Sequence, residues 1–96
     1  MEFVRREVHL GEKFSTDAFE RAFRRFVELY NVPPLRVACA PDVLTRFSAL
    51  YERSPHAAMQ RTEGLRYEGI PLVAAVLAPG TIAFEGEVDE ERMGDW

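Results

Sequence analysis

The feature that most narrows the fold is a stripe of bulky apolar residues at helical spacing. Phe19, Ala22, Phe23, Phe26, Val27 and Tyr30 recur every three or four positions, while Glu20, Arg21, Arg24, Arg25 and Glu28 fill the opposite side. A helix with so apolar a face must lay it on another element, because leaving it in water forfeits the burial that stabilises the fold. Ser15, Thr16 and Asp17 are N-cap candidates, and Glu20 in the first turn suits the helix dipole. Asn31 is the C-cap candidate, and Pro33-Pro34 ends the helix. Asp17–Arg21, Glu20–Arg24 and Arg24–Glu28 are pairs of opposite charge, each worth about 0.2–0.5 kcal/mol on a helix surface.

What the stripe lies on follows from the rest of the chain. Residues 2–10 read as a strand: Val4, Val8 and Leu10 share a face that Arg6 interrupts, the pattern of an edge strand or of a partly wet sheet. Residues 35–40 read as a short buried strand. Pro41 opens a second amphipathic helix with Val43, Leu44, Phe47, Leu50 and Tyr51, ending near Arg53. Residues 54–64 have no clear period and read as a functional or mobile loop with one helical turn over 57–60. Residues 65–68 extend a strand, and the apolar run 70–77 reads as a central strand. Ala78-Pro79-Gly80 is a turn with the residues of type II. Residues 81–88 then alternate, with Ile82, Phe84 and Val88 on one face and Thr81, Ala83, Glu85 and Glu87 on the other. This pattern predicts a hairpin of 70–77 with 81–88. The tail, 89–96, adds a last turn. The order β-α-β-α-β-β predicts an α+β two-layer sandwich, a small mixed sheet with two helices on one face. A chain of 96 residues holds one such domain, spanning 1–96.

Composition removes several classes of function. A net charge of −4 disfavours non-specific nucleic-acid binding, which needs a basic surface. The charge is uneven: Glu85, Glu87, Asp89, Glu90, Glu91 and Asp95 crowd the C-terminal stretch against Arg92 alone. Cys39 is the only cysteine, so no internal disulfide and no thiolate zinc site is expected, in keeping with a reducing, cytoplasm-type compartment. The first residues carry no apolar signal core, and the apolar run 70–79 is too short to cross a bilayer, so no membrane span is expected.

The chain carries no recognisable catalytic or cofactor motif. His9, His56 and Cys39 would make a Cys–His nucleophile pair only if they converged; Cys39, closing an apolar strand, reads instead as a small buried hydrophobe. Glu85, Glu87 and Asp89 alternate on one strand face and offer oxygen ligands for Mg²⁺ or Ca²⁺, but no loop supplies the rest of a site, and they read as a solvated face. No glycine-rich phosphate loop and no nucleophile elbow is present. The expectation is a non-enzymatic domain without metal or cofactor. Its candidate interaction residues are Arg21, Arg24 and Arg25 on the polar helix face, His56 in the loop, Glu85 and Glu87 on the strand, and Trp96 as an aromatic anchor. They predict a protein partner or self-association.

One stretch carries a family resemblance. Gly69-Ile70-Pro71-Leu72-Val73, followed by Leu77-Ala78-Pro79-Gly80-Thr81-Ile82-Ala83-Phe84 and Gly86, resembles a hairpin in the major capsid proteins of tailed phages and the related encapsulin shells. The upstream order of helix, strand and leucine-rich helix is similar to the same region, so the resemblance covers roughly residues 14–88. It implies the domain that clusters around the capsomer axis. Family members also carry an N-terminal arm, an extended loop and a long spine helix, which do not fit here. The resemblance therefore implies a structural or assembly domain, found in a virion if phage-derived. The alternatives are a small cytoplasmic regulatory or adaptor domain with a groove beside the 54–64 loop, and a small enzyme using His56 or the Glu85/Glu87 face.

Overall fold

The computed structural model describes residues 2–11, 15–53, 59–61 and 65–88. Its elements run β1 (Glu2–His9), α1 (Thr16–Tyr30), β2 (Arg36–Cys39), α2 (Pro41–Arg53), β3 (Met59–Arg61), β4 (Leu65–Tyr67), β5 (Ile70–Ala74) and β6 (Thr81–Val88). They form the expected α+β two-layer arrangement, a mixed sheet with both helices on one face.

Both caps of α1 sit where the residue types place them. The Ser15 hydroxyl accepts from the Ala18 N–H, and Asn31 takes the left-handed conformation (φ 59°) while its N–H donates to Val27. Asn tolerates that conformation better than most residues because its short amide bonds locally. Pro41 is the first residue of α2.

The strands lie in the order β1-β6-β2-β5-β4-β3. β1 is an edge strand, the first of the two readings that Arg6 allowed, and all eight of its residues pair antiparallel with β6. β6 is antiparallel to β2, and β2 is parallel to β5. This corrects the expected hairpin of 70–77 with 81–88, because β2 lies between β5 and β6. The Pro79-Gly80 turn itself forms as expected: the Thr81 N–H donates to the Ala78 carbonyl and Gly80 has φ +77°. Its span is lengthened by residues 75–77, which run past the end of β2, where the Ala75 N–H donates to Cys39. The Asp42 carboxylate in the first turn of α2 then accepts the Gly80 N–H at 3.0 and 3.2 Å. Bridging two strand spacings, about 10 Å, takes more chain than a tight hairpin has.

The hairpin that does exist joins β4 to β5. Tyr67 pairs with Ile70 across Glu68 and Gly69, both at positive φ, the two-residue geometry that matches strand twist. The expected helical turn over 57–60 is also corrected: Met59 and Gln60 belong to β3, which pairs antiparallel with β4. Residues 54–58, 62–64 and 89–96 lie outside the described residues, and with them the remainder of the 54–64 loop and the tail.

The core fills the space between helices and sheet. Phe19 meets Phe47 of α2 and Tyr67 of β4 edge-on, each at 4.9 Å between ring centres. Phe84 of β6 lies under α1 with Phe19, Phe23 and Phe26 at 5.8–6.1 Å. Ile82, Val88, Val37, Cys39 and Val43 close the layer. Such aromatic pairs add about 0.5–1.5 kcal/mol each beyond the area they bury. Gly86 leaves room for Phe26, whose Cζ is 3.3 Å from where a Cβ would stand.

Candidate functional site

Strand alternation sends neighbouring residues to opposite faces, and only one face of this sheet carries the helices. Register then lays out the bare face row by row. Phe3 stands opposite Glu87, Arg5 opposite Glu85, Glu7 opposite Ala83, and His9 opposite Thr81. On the other side of β6, Arg36 faces Glu85 and Ala38 faces Ala83, with Val73 next to Ala38.

The centre of this face is an ionic row across three strands. The Glu85 carboxylate is gripped from both sides, by Arg5 Nε at 3.2 Å and by Arg36 Nε. Arg5 also reaches its neighbour Glu7 at 3.4 Å. Glu85 is largely covered, 12% exposed, while Arg5 and Arg36 are 40% and 54% exposed. Beside the row, Ala38 and Ala83 are recessed, and His9 Nδ1 lies 3.3 Å from the Thr81 hydroxyl. Phe3 and Val73 are the exposed apolar groups at the margins.

The strand faces also separate the candidate reactive groups. Cys39 pairs with Ile82 and faces the helices, fully buried, whereas His9 is on the bare face. The two cannot meet. Burial pushes the Cys39 thiol up to about 12, so it is a packing group with little thiolate at neutral pH. His56, the other histidine of that pairing, lies outside the described residues. Glu85 offers no open ligand position, since its two oxygens already hold guanidinium groups. Asp89, the third acid of the expected trio, lies outside the described residues. Among the described residues no three His, Cys, Asp or Glu side chains converge on a point that would hold a metal ion.

The remaining candidate residues divide between the two sides of the molecule. Arg21, Arg24 and Arg25 are exposed on the outer surface of α1, behind the helix layer and away from Glu85 and Glu87. Shallow depressions run along that helix, a polar one lined by Asp17, Glu20, Arg21 and Arg24, and a mixed one reaching Phe23, Val27, Tyr67 and Glu68. Glu20 accepts the Tyr67 hydroxyl at 2.9 Å, tying α1 to β4. Burial first, and then that carboxylate, hold the Tyr67 phenol protonated well above its usual range. Trp96 lies outside the described residues. Arg5, Glu7 and Arg36 were missed as candidates. The two-residue period places Arg5 and Glu7 on one face, but nothing local says that Glu85 and Arg36 lie beside them.

No helix among the described residues is long and apolar enough to cross a membrane. Compared with protein-family models, curated proteins and solved structures, the chain matches none.

Proposed function

We propose that this chain is a non-enzymatic structural or assembly domain that acts through protein contacts. The observation that carries this reading is the bare sheet face, whose central ionisable groups are bonded to one another in the Arg5–Glu85–Arg36 row. Catalytic acids and bases are tuned by desolvation in a cleft, whereas a row of mutually satisfied charges suits a flat contact surface. A reducing compartment fits a chain whose one thiol is a core group.

A phage-type shell is one setting for such a domain. The two strands behind that resemblance, β5 and β6, are not hairpin neighbours, so the reading rests on the sheet face alone. The test is mass by light scattering over a wide concentration range. An assembly domain gives species heavier than the 11.0 kDa monomer, growing with concentration. A strict monomer at every concentration overturns the proposal.

A further inference from the structure

We infer that the free edge of β1 pairs with the β1 edge of a second copy, antiparallel and in one register, to make a continuous sheet. This rests on the assembly reading and names its partner and its contact. Among the described residues no strand lies beyond β1, and all eight of its residues hold a regular ladder with β6. The Leu10 N–H donates inward to Gly80, so by alternation the even-numbered residues of β1 bond β6. The N–H and C=O groups of Phe3, Arg5, Glu7 and His9 therefore face outward, and among the described residues they form an unpaired edge of the kind that recruits another strand.

The charge order on this edge selects both partner and register. In a two-fold antiparallel pair that keeps the bare faces on one side, residues of equal parity must stand opposite. Centring the axis on Arg6 puts Arg5 against Glu7 of the second copy, twice, and Phe3 against His9, twice. All four outward-facing residues of each copy then pair, giving about eight backbone hydrogen bonds. Sliding by one step of equal parity instead sets Arg5 against Arg5 or Glu7 against Glu7 and leaves an end residue unpaired. Like charges directly opposite are destabilising, and neither alternative forms an Arg5–Glu7 pair to offset them. On the helix side the same register sets Val4 against Val8. It also sets the two Arg6 residues opposite each other at the axis, a like-charge pair that the two Arg5–Glu7 pairs outweigh and that is eased where each Arg6 Nε donates to its own Tyr30 hydroxyl at 2.6 Å. The exposed Phe3, 54% accessible, gains a ring partner.

Two variants test the register in the full chain. Glu7→Arg turns both cross-pairs repulsive and should weaken self-association by about tenfold or more in sedimentation, with circular dichroism unchanged. Arg6→Cys should cross-link to itself under mild oxidation, because residues in a non-hydrogen-bonded pair have Cα atoms about 4.5 Å apart, within disulfide reach. Phe3→Cys, which faces position 9, should not. Cys39 is fully buried, so a reducible dimer reports position 6. A wild-type protein that associates, yet is unaffected by Glu7→Arg and gives no Arg6→Cys cross-link, overturns the β1 contact and leaves the assembly reading standing. A wild-type monomer at all concentrations overturns both.

Discussion

The two faces of β6 differ in what they do for the molecule. Ile82, Phe84, Gly86 and Val88 point toward the helices and are buried in one aromatic layer. Thr81, Ala83, Glu85 and Glu87 point the other way and carry small or charged groups, two of them in contact with residues from β1 and β2. One strand thus supplies stability on one side and surface chemistry on the other. Hydrophobic burial scales with the area removed from water, so the helix side carries most of the stabilising contacts. The bare side is then at liberty to carry a charge pattern that matters for contacts.

The sharpest test of this contrast is chemical access. Cys39 should resist a thiol reagent at pH 8 by about a thousandfold or more relative to a cysteine placed at the exposed position 87, because it reacts only after the fold opens. Comparable labelling rates would show the helix-covered face to be loosely packed. Its pH behaviour has a definite sign. The folded thiol, pushed up to about 12 from 9.0, stays protonated while the unfolded chain ionises. Its stabilising contribution is therefore complete below about pH 9 and is lost as pH rises toward about 12. The Tyr67 phenol, also raised, acts in the same direction. Replacing Cys39 by Ala should flatten the alkaline slope of urea midpoints, and an unchanged slope would assign it to other groups.

Packing changes come next in size. Phe84→Ala removes the ring that Phe19, Phe23 and Phe26 surround, and should cost about 3–5 kcal/mol by urea unfolding. A loss below 1 kcal/mol would mean that the aromatic layer is not the source of stability. Adjacent positions give a finer comparison. Gly86→Val drives a side chain against Phe26 and Pro34 and should cost about 1–3 kcal/mol, while Glu87→Val next to it should stay within about 0.5 kcal/mol. Equal effects would erase the distinction between the faces.

The smallest effect belongs to the ionic row. Glu85→Gln leaves Arg5 and Arg36 facing each other without their shared carboxylate, yet both are substantially exposed and screened by water. A cost of about 1 kcal/mol or less is expected, shrinking in high salt. A loss matching that of Phe84→Ala would make the bare face a second core.

Much of the local structure was written in the chain. The Phe19–Tyr30 stripe, the Ser15 and Asn31 caps, Pro41 at the start of α2 and the turn at Ala78–Thr81 depend on residues within a few positions of one another. Steric limits on φ and short-range hydrogen bonds act at that range, so the residue types alone determine them. Arg6 pointed to an edge strand or a partly wet sheet, because a guanidinium on the helix-facing side needs a place from which to reach a partner such as Tyr30, and the strand order settled it as an edge. Strand neighbours are another matter. Alternation in 70–77 and 81–88 says which side chains share a face, but it is equally satisfied by a hairpin and by a layout with β2 between them. The helices decided it: β6 lies beneath the α1 stripe while β5 and β2 lie against α2. The Arg5–Glu85–Arg36 row exists only once that choice is made, since it draws one residue from each of three strands distant in sequence.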